Sequence, residues 1–145
     1  MRRIATKICT IAATTLLALA AGQTGQAGAA NAAYFNLQDT RGSNFTIEIT
    51  RPEVIQEARD IIANENAERK TVIGRIIKTQ ASYNPQWDFH YNPDTVSFTD
   101  NPPEVCDGYN ISYVEDHLDE AGGPFLPGLY WCPWNARLTA EIPAP

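Results

Sequence analysis

The chain has 145 residues, with 11 Lys and Arg against 17 Asp and Glu and a formal net charge of −6. That balance excludes nucleic acid and anionic membrane as natural partners, because both would repel it. The length fits one domain after a leader, large enough to bury a core without further modules.

The leader is expected at residues 1–29. Arg2, Arg3 and Lys7 supply a positive start, and Ile8 to Ala21 form an apolar run. Ala27-Gly28-Ala29 then offers a small-x-small cleavage pattern. The competing reading is a retained anchor, for which the run is short, since a spanning helix wants ~20 apolar residues. The expectation is therefore an exported protein, secreted and extracellular, whose residues 30–145 form one domain and act as a monomer. Without the leader, eight basic residues face all 17 acids, a net charge of −9. The imbalance is one-sided: from Thr79 onward Arg137 is the only base against ten acids. Any partner steered by charge is positive and meets this half.

Tyr34-Phe35-Asn36-Leu37 and Phe45-Thr46-Ile47-Glu48-Ile49 alternate apolar with polar, the period of half-buried strands, and Gln38 to Asn44 supplies the turn of a hairpin. A helix follows. Thr50 and Glu53 have capping-box spacing, while Pro52 keeps Arg51 out of the helical region and offers Arg51 as an alternative cap. Val54, Ile55, Ala58, Ile61 and Ile62 form its apolar face. Asn64 to Lys70 is the exit loop, and Thr71 to Lys78 the best central strand, with Gly74 as a candidate bulge.

Tyr83-Asn84-Pro85 and Tyr91-Asn92-Pro93 repeat a turn-forming tripeptide. Between them Trp87, Phe89 and Tyr91 alternate with Asp88 and His90, so a strand here puts three aromatics on one face and Asp88 with His90 on the other. Val96-Ser97-Phe98 reads as a short strand. Ser112-Tyr113-Val114-Glu115 is a capping box that opens a second helix, stopped by Gly122-Gly123-Pro124. Tyr113, Val114, His117, Leu118 and Ala121 would be its inner side. Leu129 to Ile142 returns as a final strand or pair of strands. Cys106 and Cys132 are the two cysteines left after the leader, and a bridge between them is the default in an oxidising compartment. It would stabilise by ~3 kcal/mol in the chain-entropy model. Two free or metal-binding thiols are the alternative. The fold class expected is α+β: an antiparallel sheet with two short helices and one disulfide.

Val105-Cys106-Asp107, the run Tyr113-Val114-Glu115-Asp116-His117-Leu118-Asp119-Glu120, Gly122-Gly123, Leu126-Pro127-Gly128 and Trp131-Cys132-Pro133-Trp134 resemble a family of small secreted domains labelled calmodulin-binding protein. The likeness extends through Ala58-Arg59, Gly74-Arg75, Tyr83-Asn84-Pro85, Trp87 and Phe89-His90. The label implies calmodulin binding. Targets of that sensor are typically basic amphipathic helices, and here both helices are edged with acids.

Three chemistries compete for the second half. His90 and His117, with Asp88 or Glu104, could run acid/base hydrolysis, since imidazole titrates near neutrality. Against this, the chain has no G-x-S-x-G, no H-E-x-x-H and no nucleophile beside an obvious base. Glu115, Asp116, Asp119 and Glu120 are dense enough to attract Ca²⁺, but no loop supplies the six to eight oxygens it needs. Neither a metal nor a cofactor is expected. The third reading is recognition. Phe125 and Leu126 sit in a prolyl-stiffened loop inside the disulfide ring, and Trp87, Tyr91, Trp131 and Trp134 offer aromatic contact area. Sequence therefore points first to a non-catalytic domain that binds a protein or glycan through the Gly122–Gly128 loop and these aromatics. A protease inhibitor presenting Phe125-Leu126 is a special case of it. A small extracellular hydrolase using His90 and His117 is the alternative.

Overall fold

The computed structural model describes residues 32–64 and 70–145. The expected leader and most of the exit loop after the first helix lie outside those residues.

The alternating first segments form an antiparallel hairpin, β1 (Ala33–Asp39) and β2 (Asn44–Ile49). Phe35, Leu37, Phe45, Ile47 and Ile49 all point inward and are fully buried. The last strand, β7 (Ala136–Ile142), closes this sheet on the other side of β1, in the order β2-β1-β7. Helix α1 (Pro52–Ala63) packs Val54, Ile55 and Ala58 into the core. Its N-cap is Arg51, with Pro52 inside the first turn; the Thr50 capping box is not formed. Pro52 holds Arg51 extended, which is the conformation an N-cap needs.

A second sheet is built round β3 (Thr71–Ile77), so the expected single sheet is two. Three short strands pair with β3 antiparallel: β4 (His90–Tyr91), β5 (Ser97–Thr99) and β6 (Tyr130–Trp131). Gly74 is not a bulge. A Cβ there would come within 2.9 Å of the Tyr91 ring, so the strand keeps a glycine to let the ring lie on it. Nor is Trp87 to Tyr91 one strand. Turns at Ala81–Asn84 and Asn84–Trp87 use the backbone first, leaving only His90 and Tyr91 to pair.

An aromatic cluster joins the two sheets. Phe45 from the first meets Phe89, Tyr91 and Trp131 from the second at centroid distances of 4.9, 5.9 and 5.4 Å, and Tyr91 stacks on Trp131 at 5.1 Å. Burial drives the Tyr91 phenol far above its ordinary range, and its hydroxyl donates to the Trp131 carbonyl. Cys106 and Cys132 are bridged, and the Cys132 N–H donates to the Cys106 carbonyl at 2.8 Å. The bridge ties β6 to the segment leading into the second helix. The domain is α+β, with antiparallel sheets, two helices and one disulfide.

That second helix, α2 (Ile111–Asp116), is shorter and earlier than its capping box predicts. Asn110 is the cap: its Oδ1 accepts from the Tyr113 N–H at 3.0 Å, which leaves Ser112 inside the first turn. Glu115 does not reach back to Ser112 but accepts the Asp88 N–H through both oxygens. The helix stops at Asp116, and turns carry the chain to Ala121. His117 ends it. Its Nδ1 takes the Tyr113 carbonyl at 2.8 Å, while its own N–H bonds to Val114 instead. The side chain has replaced the backbone donor that would have continued the helix.

Candidate functional site

The shortened α2 places its side chains differently from the sequence expectation. Ile111 and Val114 face the core, while Tyr113 is exposed. Tyr109, Tyr113 and His117 follow one another four residues apart, and their rings meet on the outside. His117 stacks on Tyr113 at 4.0 Å with planes 17° apart, and Tyr109 meets Tyr113 edge-on at 5.0 Å. Phe125 joins from the following loop, 5.7 Å from Tyr113 and 6.1 Å from His117. Four rings thus share one surface patch. Such edge and stacked contacts are worth about 0.5–1.5 kcal/mol beyond area burial, enough to hold each ring in place.

The base beneath the patch is pinned from several sides. Asp39, buried at the hairpin turn, accepts from Arg41 and Ser43 N–H through one oxygen and from the first N–H of α2, that of Ile111, through the other. Lys78 donates to the Ala121 carbonyl at 2.9 Å. Gly108 lies against Val114 and the Trp131 indole so closely that a Cβ would sit 2.6 Å from one and 2.8 Å from the other. In the loop, the Gly122 N–H donates to the Phe125 carbonyl and Leu126 plugs into the core at 1% exposure.

The backbone here is strained. Among the described residues, three that are not glycine have positive φ: Tyr109 at 61°, Leu126 at 46° and Leu129 at 64°. Tyr109 carries a ring of the patch, Leu126 follows Phe125, and the Leu129 side chain packs against Gly122. A left-handed conformation costs an L-residue about 1–2 kcal/mol, so all three persist only because the surroundings demand them.

The sequence-predicted site residues divide. Phe125 is partly exposed and belongs to the patch. Leu126, Trp131 and Tyr91 are core residues with 1% exposure or less and present no contact area. Trp87 packs against the core edge, its Nε1 donating to the Asn44 carbonyl, and Trp134 is exposed beside the disulfide. His90 and His117 sit in separate ring clusters, His90 with Tyr83 and His117 with Tyr113 and Phe125. Each spends Nδ1 on a backbone carbonyl, Thr79 for His90 and Tyr113 for His117. A carbonyl only accepts, so each Nδ1 carries the proton and each neutral ring leaves Nε2 as its acceptor. Neither ring bonds to Asp88, Glu104 or Asp116, and Glu104 lies in a short 3-10 turn, Glu104–Cys106. The histidine–carboxylate pairs of the hydrolase reading are not assembled. Among the described residues no group of three or more His, Cys, Asp or Glu is placed to hold a metal ion.

Tyr109 and Tyr113 are surface residues that sequence reasoning does not single out. Their signal is the four-residue spacing Tyr109, Tyr113, His117, which only an earlier helix start at Asn110 turns outward.

The family model described as BP-74 N-terminal domain matches residues 31–145. The chain belongs to that family. It is the calmodulin-binding-protein type of N-terminal domain that the cysteine, helix and Trp-Cys-Pro-Trp motifs resemble. Neither the curated proteins nor the solved structures contain a match. The family match takes in every element that builds the ring patch, from the hairpin that carries Asp39 to the closing strand.

Two cavities lie elsewhere. One of about 330 Å³ runs along α1, lined by Glu53, Glu57, Asp60 and Lys70, and one of about 290 Å³ lies between the hairpin turn and the start of β7. Neither is lined by a ring of the patch.

Proposed function

We propose that this domain is a secreted, non-catalytic binding module that takes a protein or glycan partner on the surface formed by Tyr109, Tyr113, His117 and Phe125. The observation that carries this reading is the clustering of backbone strain at one place. Tyr109, Leu126 and Leu129 hold left-handed conformations where the four rings meet. Strain that packing must offset collects at sites under functional demand. Preorganisation adds to it: the disulfide, the core plug at Leu126 and the bonds from Asp39 and Lys78 fix the rings before any partner arrives, so little entropy is lost on binding. Export is supported by the leader pattern in residues 1–29 and by the bridged cysteines, which persist in oxidising compartments.

Peptide and glycan arrays probed with the oxidised domain, alongside its Tyr113→Ala and Phe125→Ala variants, test the proposal. Spots retained by the parent should be lost by both variants while their melting curves stay within a few degrees. Retention undiminished by either substitution overturns the assignment.

A further inference from the structure

The ring patch also carries a charge signature that narrows the partner. Of the ten acids from Thr79 onward, only Glu141 is ion-paired among the described residues, with Arg59. Asp107, Glu115, Asp116, Asp119 and Glu120 all lie on the same short stretch as the rings. Asp116 follows Tyr113 by three positions on α2, Asp119 and Glu120 are exposed in the turn after His117, and Asp107 accepts the Tyr109 N–H. Burial, with Asp88 and Asp116 close by, pushes the Glu115 carboxyl up, as a concentrated negative field requires. The rings are suited to the opposite charge. Tyrosine faces attract cations within about 6 Å, and the fold already makes such a contact where the Arg75 guanidinium lies 5.0 Å from the Tyr130 centroid.

We infer that the partner is a basic protein segment, an extended stretch whose Lys or Arg side chains lie over Tyr109 and along Tyr113 while their charges meet Asp116, Asp119 and Glu120. The inference rests on the binding reading above and names its ligand. An extended peptide fits better than a small polyamine, because the patch is open and encloses nothing. Centroid steps of 5.0 and 4.0 Å from Tyr109 through Tyr113 to His117 match the reach of about three extended residues. A neutral glycan would use the rings but leave the acids unanswered.

The test follows the aromatic NMR signals of the oxidised domain on addition of four probes: a short Lys/Arg peptide spaced by Gly and Ser, the same peptide with Gln at every basic position, spermine, and a neutral oligosaccharide. The basic peptide should shift Tyr109, Tyr113 and Phe125. Its affinity should fall about tenfold or more in Asp116→Asn/Asp119→Asn/Glu120→Gln and again on raising the salt. Equal binding of the Gln peptide, equal binding of spermine, or unchanged affinity in the charge variant overturns the inference. If the oligosaccharide or the Gln peptide moves these rings and the basic peptide does not, the inference falls while the binding reading stands. If no probe moves the rings, or the basic peptide shifts only distant residues, both fall.

Discussion

Asn84 stands beside Thr46 as though it were the next strand of the first sheet. Its Oδ1 accepts the Thr46 N–H at 2.7 Å and its Nδ2 donates to the Thr46 carbonyl, also at 2.7 Å. β2 is the edge of its sheet, and an open edge invites pairing with another chain. One buried amide closes that edge and ties it to the loop carrying Phe89 and His90. Asn84→Asp keeps the shape but loses the donor and brings a buried charge; Asn84→Ala loses both bonds. Each should destabilise by about 1–3 kcal/mol or more in urea unfolding, the aspartate more at neutral pH than the alanine. A pair of variants as stable as the parent would mean that the edge does not depend on this contact.

Phe125 and Leu126 are neighbours with opposite duties. From sequence both read as contact residues whose removal spares the fold. The structure keeps that expectation for Phe125 alone, because Leu126 is buried in the core. Leu126→Ala should cost about 2–5 kcal/mol, whereas Phe125→Ala should leave the urea midpoint nearly in place. Equal losses in the two would place Phe125 in the core as well.

Gly108 is a matter of space. Its φ is not in the left-handed region, so substitution is limited only by Val114 and the Trp131 indole, neither of which is a flexible chain end. Gly108→Ala should destabilise by about 1–3 kcal/mol through overpacking. It should also shift the Tyr109 and Tyr113 ring signals, since α2 must move to make room. Unchanged spectra at parental stability would count against the close packing described.

Arg59 and Glu141 join α1 to β7 through two hydrogen bonds of 2.8 and 2.7 Å. The bonds from Arg59 hold the Glu141 carboxyl below the usual glutamate range. A depressed acid stabilises the fold above its unfolded pKa, and the contribution is lost as pH falls through the lower folded value. Glu141→Gln should therefore melt below the parent at pH 7, and the gap should close on acidification below about pH 4. Glu115 works in the other direction. Burial raises its carboxyl, so its charge is a cost at neutral pH that disappears on acidification. A Glu141→Gln gap that stays constant into acid would contradict the pairing.

Reduction opens the largest loop constraint. Breaking Cys106–Cys132, or Cys132→Ser, should lower stability by about 3 kcal/mol. Because the bridge ties β6 to the lead-in of α2, the ring patch should lose its fixed NMR pattern before the first hairpin does. Simultaneous loss of both would show that the bridge holds no separate part of the fold.

What could be read in advance followed the strength of the local signal. The alternation of Phe35, Leu37, Phe45 and Ile47 leaves no other register, and the apolar run at Val72 to Ile77 demands burial on both sides. The cysteine count pointed to the bridge. The misreadings came where local signals competed. Ser112 and Glu115 have capping-box spacing, yet Asn110 lies two residues earlier and Glu115 is drawn to the Asp88 N–H, a contact from 27 residues away. Trp87, Phe89 and Tyr91 alternate like a strand, but the Asn84 turns use the backbone first. The patch was half legible: Phe125 stood out by its prolines, whereas Tyr109 and Tyr113 depended on where α2 starts and on a positive φ that no periodicity reports.

The central claim is that one surface, the rings of Tyr109, Tyr113, His117 and Phe125, receives the partner. The most direct measurement is an aromatic ¹H–¹³C NMR titration of the oxidised domain with a ligand selected from the arrays. The account predicts shifts concentrated on those four rings, abolished by Tyr113→Ala at an unchanged melting temperature. Shifts confined to the opposite ring cluster at Tyr34, Tyr83 and His90, with the Tyr113 signals still, would contradict it.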